Sequence, residues 1–481
     1  MPFDEEYFNS EEFRELLDSY EASLDTGQQP FMDASDLVDI ADYYNFNGDY
    51  DKAVEAVERA LDLYPHATLP NVFKARQALA EGNFERARQY AENIENKDEP
   101  DYCYLLAEIK IAQGNIEEAD RYLRSLEKSV DPEEYEDYIK DCANLYVDYN
   151  INEKAYEWMM RSKGDDSTDF KELMARTLFG MGKYKDSERI FNELIDRNPY
   201  SITYWNALAS TQLMNEDYNN AITSSEYAIA IAPNDPEGIA SKANGLFRIG
   251  NYPEALKYFQ RLEKLVPEDN FVLLNIGVCL VNLGRQQEAL QPLERALERG
   301  VDDIDILPQL YQELAFCYSA LKQPEKALEL LDRTEKLPCD HSDMLVIRGH
   351  IQLEHGMVKE AQESFQRAMK ESENNPSVML RVIVSLYDNR YLQACYEMFT
   401  KFFRVASKYD PDFNKGRAYQ ALVCFDLGKK EEFYIAVGRA ARENPQEARL
   451  VLGFLFPEGM DPSEYLNYAV HHYIHFDKLD K

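Results

Sequence analysis

Apolar residues in this chain fall into two stripes of helical spacing separated by a short polar break, and the pair recurs along most of the sequence. The stretch ITYWNALASTQLMNEDYNNAITSSEYAIAIAPND, beginning at Ile202, shows the pattern. Trp205, Leu208, Ala209 and Leu213 line one face of a first helix (helix A). NEDY then interrupts the spacing, and Ala221, Ile222, Ser225, Ala228 and Ile229 line a second helix (helix B) that Pro233 stops. In most other units the break holds a glycine: Gly48, Gly82, Gly114, Gly182, Gly250, Gly284, Gly356 and Gly428. Glycine adopts at little cost the left-handed conformation that ends a helix. Asn150 and Asn389, of the next most tolerant type, are expected to fill the slot in two further units.

Five places after each break stands a small residue: Ala53, Ala87, Ala119, Ala155, Ser187, Ala221, Ala255, Ala289, Ala327, Ala361 and Ala394. Their spacings are 34, 32, 36, 32, 34, 34, 34, 38, 34 and 33, and a twelfth unit follows near Gly428 with Phe433 in the slot. A small side chain is expected where two antiparallel helices cross closely. Four residues further on, Val57, Leu123, Met159, Phe191, Phe259, Leu293, Leu331, Phe365 and Met398 share its face and are expected in the core. Pro65, Pro199, Pro233, Pro267 and Pro445 mark where helix B must end.

These residues resemble the tetratricopeptide repeat, whose pattern has an early aromatic, then Leu, Gly or Ala and Tyr in helix A, and Ala, an aromatic, Ala and Pro in helix B. Ile202 to Asp235 carries it through Trp205, Leu208, Ala209, Ala221, Ala228 and Pro233, departing at Leu213 and Ser225; Asp269 to Asp302 carries it through Gly277, Ala289 and Ala296. The resemblance covers residues 34–445 and implies an all-α fold, an α-solenoid forming a right-handed superhelix of about twelve helix pairs. Residues 1–33 carry one amphipathic helix, Glu11 to Leu24, after Ser10. Residues 446–481 carry QEARLVLGFLF and EYLNYAVHHYIHF around the breaker PEGMDPS. Both ends are expected to cap the array, since a solenoid must close its terminal cores; a protein-binding tail is the competing reading. The irregular step ERGVDDIDILPQL makes 299–308 a candidate bend, at which the array is either one superhelix or two stacks. Long second helices before repeats nine and twelve are further places for a local bend.

Charge narrows the partners. Acids outnumber bases by 88 to 52, a formal charge of -36, and no run of Lys and Arg stands out. Nucleic acid and anionic membrane are therefore disfavoured and a basic or neutral protein or peptide favoured. The first 25 residues contain nine acids and one Arg, unlike a secretory signal. The most apolar run, FVLLNIGVCLVNLG, is too short to span a bilayer. Seven scattered Cys without a Cys-x-x-Cys pair argue against disulfides and structural zinc, and the expected location is cytoplasmic.

Catalytic constellations are missing: no phosphate-binding glycine loop, no Gly-x-Ser-x-Gly and no His-Glu-x-x-His. A non-enzyme without cofactors is expected. His471 and His475 lie one helical turn apart, a spacing that can hold a metal, but no acid or Cys completes a ligand set, and a surface helix end is the plainer reading. Cys279 and Cys317 occupy the same late slot of helix A and read as small buried side chains.

The family arrangement places the helices A on the inner wall. There Asn206, Ser210, Asn244, Arg248, Asn275 and Asn282 form a polar row on an otherwise acidic chain, suited to hydrogen-bonding the backbone of an extended peptide, against the alternative of an unoccupied wall. Asn244 and Asn275 also stand where some tetratricopeptide domains clamp a terminal carboxylate. Ala240, Gln309 and Glu313 stand where that clamp needs cations, so the clamp is rejected. The expected function is a non-catalytic protein-interaction scaffold binding a peptide or helix on the concave face, or alternatively a regulatory or substrate-recruiting subunit of a separately encoded enzyme.

Overall fold

The computed structural model describes residues 5–8, 10–26, 32–267, 269–299 and 306–472. Among them every regular element is a helix, and the chain divides into two compact units, Met1–Ile231 and Ala232–Lys481. The first unit holds repeats one to six: Ala34–Phe46 with Tyr50–Leu63, Thr68–Ala80 with Phe84–Asn93, Pro100–Ala112 with Ile116–Leu126, Tyr135–Asp148 with Asn152–Met159, Thr168–Gly180 with Tyr184–Arg197, and Ile202–Met214 with Tyr218–Ile231. The second holds repeats seven to twelve: Pro236–Arg248 with Tyr252–Leu265, Asn270–Asn282 with Gln286–Glu298, Ile306–Ala320 with Pro324–Arg333, His341–Glu354 with Val358–Glu371, Pro376–Asp388 with Leu392–Tyr409, and Arg417–Asp426 with Lys430–Glu443.

One turn joins helix A to helix B in all of them. Twelve residues adopt positive φ there: the eight break glycines together with Asn150, Glu216, Lys322 and Arg390. Gly250 typifies the turn. Its N–H donates to Phe247 O at 3.0 Å, and the next N–H, of Asn251, donates to Leu246 O at 2.9 Å. Those two bonds satisfy carbonyls that the end of helix A would otherwise leave open. Repeat eleven corrects the sequence register by one residue. Asn389 has φ -89° and Arg390 is the left-handed residue. Cys395, not Ala394, then fills the small slot at 0% exposure, and Phe399, not Met398, is the buried residue four places on. A cysteine, small and apolar, answers the steric demand that alanine meets elsewhere.

A second row of small residues, in helix A, explains why the pairs lie so close: Ala41, Ala75, Ala107, Ala143, Ala175, Ala209, Ala243, Gly277, Ala315, Gly349 and Ala421, with Ile383 in repeat eleven. A Cβ on Gly277 would stand 2.3 Å from Leu293, and one on Gly349 would stand 2.4 Å from Phe365. The large side chain of helix B therefore lies directly on the bare backbone of helix A. Helix B of repeat eight is 13 residues long, shorter than the 14 of repeat seven, so the lengthening expected before repeat nine is not found; helix B of repeat eleven, at 18 residues, is long. The suspected bend at 299–308 falls mostly on 300–305, outside the described residues.

At the N-terminal end the helix runs Glu11–Thr26, with the Ser10 hydroxyl accepting from Phe13 N at 3.1 Å. Phe13 and Tyr20 bury fully in the core of repeat one. Past repeat twelve, Pro445–Leu452 packs on helix A and Tyr465–His471 on helix B. Phe456 and Tyr465 stack at 3.9 Å, and the Glu447 carboxylate accepts from the N–H groups of Gly416 and Ala418, at 2.8 and 3.3 Å, closing the start of helix A of repeat twelve.

Candidate functional site

Each helix A touches the next along repeats one to five of the first unit and along repeats eight to eleven of the second. The residue directly after the buried small residue of helix A shows how each wall is built. In repeats one to six it is Asp42, Arg76, Glu108, Asn144, Arg176 and Ser210; in repeats seven to twelve it is Asn244, Val278, Phe316, His350, Val384 and Leu422. The first wall is ionic and the second, beyond Asn244, is apolar or aromatic.

On the first wall, Arg76 Nε donates to Glu108 Oε2 at 2.9 Å, and the Tyr149 hydroxyl reaches the other oxygen of Glu108 at 3.5 Å. Asp42 and Asp141 are open to solvent but flanked by surrounding chain, and burial pushes both carboxyls above the usual range, with Asp39 adding to the effect at Asp42 and Asp137 at Asp141. A recess of about 290 Å³ between helices A of repeats four and five is lined by Asp137, Asp141, Asp169 and Glu172 against Lys140 and Arg176. Lys140 is itself held by Asp137 at 2.8 Å.

On the second wall, Phe316, Val346, His350, Leu380, Val384 and Tyr419 line a groove of about 480 Å³, with Arg381, Ser385 and Asp388 at its polar edge. Arg381 is ion-paired with Asp343. Burial pushes the Asp388 carboxyl up, and His350 opposes that shift.

The six residues singled out from sequence divide between the units and differ in availability. Asn206 (3% exposed) and Asn275 (8%) are buried, which corrects their reading as freely presented amides. Asn275 Nδ2 donates to Phe271 O at 2.8 Å, one turn back in its own helix, and the exposed Asn282 does the same to Val278 O at 2.9 Å. An Asn inside a helix readily bonds the preceding turn. Ser210 and Asn244 are half-buried, and Arg248 is exposed. Asn244 follows its small residue by one place while Asn275 precedes Gly277 by two, so the two do not share a register; the counterpart of Asn244 in repeat eight is Val278. Asp42, Arg76, Glu108 and Phe316 escaped the sequence reading, and His350 drew notice there only as one of three histidines not spaced to share a face with one another. Aligning the repeats on the helix-A alanine rather than on the helix-B alanine exposes them.

Among the described residues no group of three His, Cys, Asp or Glu could hold a metal, and no helix is long and apolar enough to cross a membrane. His475 lies outside the described residues. Cys279 and Cys317 are fully buried, and burial pushes both thiols up to about 12.

Models of the tetratricopeptide repeat match residues 38–102, 173–236 and 241–303, and, in a second form, 78–137. A TPR repeat-containing protein of Methanocaldococcus jannaschii is 20% identical over 387 residues, covering 74% of this chain and 67% of that protein. Among solved structures, YrrB, described as a TPR protein with an unusual peptide-binding site, aligns with TM-score 0.33 and 18% identity over 39% of this chain and 95% of its own. The Cut9–Hcn1 hetero-tetramer of the APC/C aligns with TM-score 0.36 and 14% identity over 92% and 93%. The chain is an all-α solenoid of the tetratricopeptide-repeat family. Repeats nine to twelve, beyond the matched residues, show the same left-handed turn at Lys322, Gly356, Arg390 and Gly428.

Proposed function

We propose that this protein is a non-catalytic scaffold that holds a segment of a partner protein on its helix-A walls. The observation that carries the reading is the 480 Å³ groove around Phe316, His350 and Val384, an apolar recess with a few polar groups at its edge, as ligand-binding recesses are built. It takes an apolar or aromatic anchor of the partner. The ionic wall of the first unit favours a basic segment, because the carboxylates of its recess, Asp137, Asp141, Asp169 and Glu172, outnumber the cations Lys140 and Arg176.

Capture of partners from the native cell by the full chain tests this, with the bound segments mapped by cross-linking. The expected result is that Val384→Glu loses the captured set while Asn282→Ala, on an exposed amide bonded to its own helix, keeps it. A captured set indifferent to Val384→Glu would move binding off the second wall. An enzyme as the main captured species would favour the regulatory-subunit alternative.

A further inference from the structure

Repeats ten and eleven carry an apolar groove on their helix-B side, away from the helix-A wall. Its volume is about 640 Å³. One flank is a stripe of helix B of repeat ten, Val358, Phe365 and Met369, with Gln362 and Gln366 between them. The other is Tyr391, Ala394 and Met398 of repeat eleven, and Val382 and Leu386 form the floor.

Two features leave this surface only partly covered by the fold, although Met369, Leu386, Tyr391 and Met398 also pack against the core of repeat ten. First, the register slip in repeat eleven leaves Cys395, Phe399, Phe402 and Ala406 to bury against the repeat's own core. Ala394 and Met398 thus form a second apolar stripe on the same helix, half-buried, with Met398 reaching the core of repeat ten. Val358, at 45% exposure, is likewise a large apolar side chain that the fold does not cover. Second, helix A of repeat eleven rests mainly on the preceding helix A rather than on helix B of repeat ten. The connection between them contains two consecutive left-handed residues, Glu373 and Asn374, which turn the chain aside and leave the groove open.

The chemistry of the groove selects its occupant. On a chain with 88 acids against 52 bases, no lining residue is acidic, and the single charge is Lys370. Lys370 makes no ion pair or hydrogen bond among the described residues. Both flanks are helices whose backbone groups are bonded internally, so an added strand would find no backbone partner. A helix with apolar residues at i, i+3 or i+4 and i+7 interdigitates with stripes of the same spacing. We propose that this groove docks one amphipathic helix of a partner protein, apolar face inward, with a carboxylate set against Lys370. The site lies on other helices than the helix-A walls and stands or falls apart from them.

The test uses the full chain and two stapled helical peptides with Leu at i, i+3, i+4 and i+7, one flanked by Glu and one by Lys, followed by fluorescence anisotropy. The Glu-flanked peptide is expected to bind at least about tenfold tighter than the Lys-flanked one. Met398→Glu is expected to weaken it by about tenfold or more, and Lys370→Glu to reverse the preference between the two peptides. Lys370 is exposed, so its variant remains informative should Met398→Glu disturb the fold. Binding of neither peptide, or equal binding of both that ignores the two substitutions, overturns the proposal. So does concentration-dependent dimerisation in light scattering that Met398→Glu abolishes, since the groove would then serve a second copy of this chain.

Discussion

The two units of this protein repeat one skeleton and present opposite walls. In the first, the residue after the helix-A alanine is charged or polar in all six repeats; in the second it is Val278, Phe316, His350, Val384 and Leu422 after the opening Asn244. The skeleton is fixed by steric demands that every repeat shares: a left-handed turn, and small residues where two helices touch. The wall position meets a looser demand: it is buried at Glu108, Val278 and Leu422 and exposed at Asp42, Arg76 and Arg176. One architecture can therefore carry an ionic surface and an apolar surface along the same chain.

Exchanging chemistry between the walls should break the comparison most severely. Val278→Asp places a carboxylate where a side chain is 6% exposed and is expected to cost about 3–5 kcal/mol, as an uncompensated buried charge does. Asn144→Asp, at the matching place on the half-buried ionic wall, should cost about 1 kcal/mol or less, mainly from the like charge of Asp141 three residues before it. Urea denaturation followed by a probe in each unit separates the two.

Glu313 is the ionisable residue most out of place in the second unit. It is 7% exposed, and burial pushes its carboxyl up to about 7. The folded state thus favours the protonated form, and the stability present at pH 4 is lost as pH rises through 7. Glu313→Gln is expected to leave stability near pH 4 unchanged, to remove this pH dependence and to gain up to about 3 kcal/mol at pH 8. An unaltered melting profile between pH 4 and pH 8 would contradict the desolvation argument.

On the ionic wall, Arg76→Ala removes the cation that Glu108 meets at 2.9 Å. A loss of about 1 kcal/mol is expected, since the Arg76 side chain is 44% exposed, and it should shrink in high salt. The shared skeleton predicts a similar gain in both units. Glu216→Gly and Lys322→Gly, both at left-handed positions, should each stabilise by about 1 kcal/mol, and a gain in one unit only would break the equivalence of the turns. The smallest effect is chemical. Half-buried Cys103 and Cys339 should accept a maleimide in the native protein, while Cys142, Cys279, Cys317, Cys395 and Cys424, all buried, should wait for unfolding.

The sequence by itself determined the helix pairs, their period and their family, because the requirements that create them are local. A glycine five places before an alanine, and a large residue four places after it, states a turn and a close crossing without reference to distant parts of the chain. The same reasoning read Cys279 and Cys317 as buried. Where a residue of another type filled a slot, as Arg390 and Cys395 do in repeat eleven, composition pointed one residue away and only the backbone conformation gave the register. The candidate wall was less legible. Asn206 and Asn275 are polar yet buried, because burial depends on the neighbouring helix and not on the residue's own chemistry, and an amide bonded to the preceding turn of its own helix is indistinguishable in sequence from one offered to a ligand. Which side chains converge into the Phe316–His350–Val384 groove, and which apolar stripe of the helix-B side stays uncovered, was decided by the angle at which one repeat meets the next, a consequence of packing between residues too far apart in sequence for any local pattern to record.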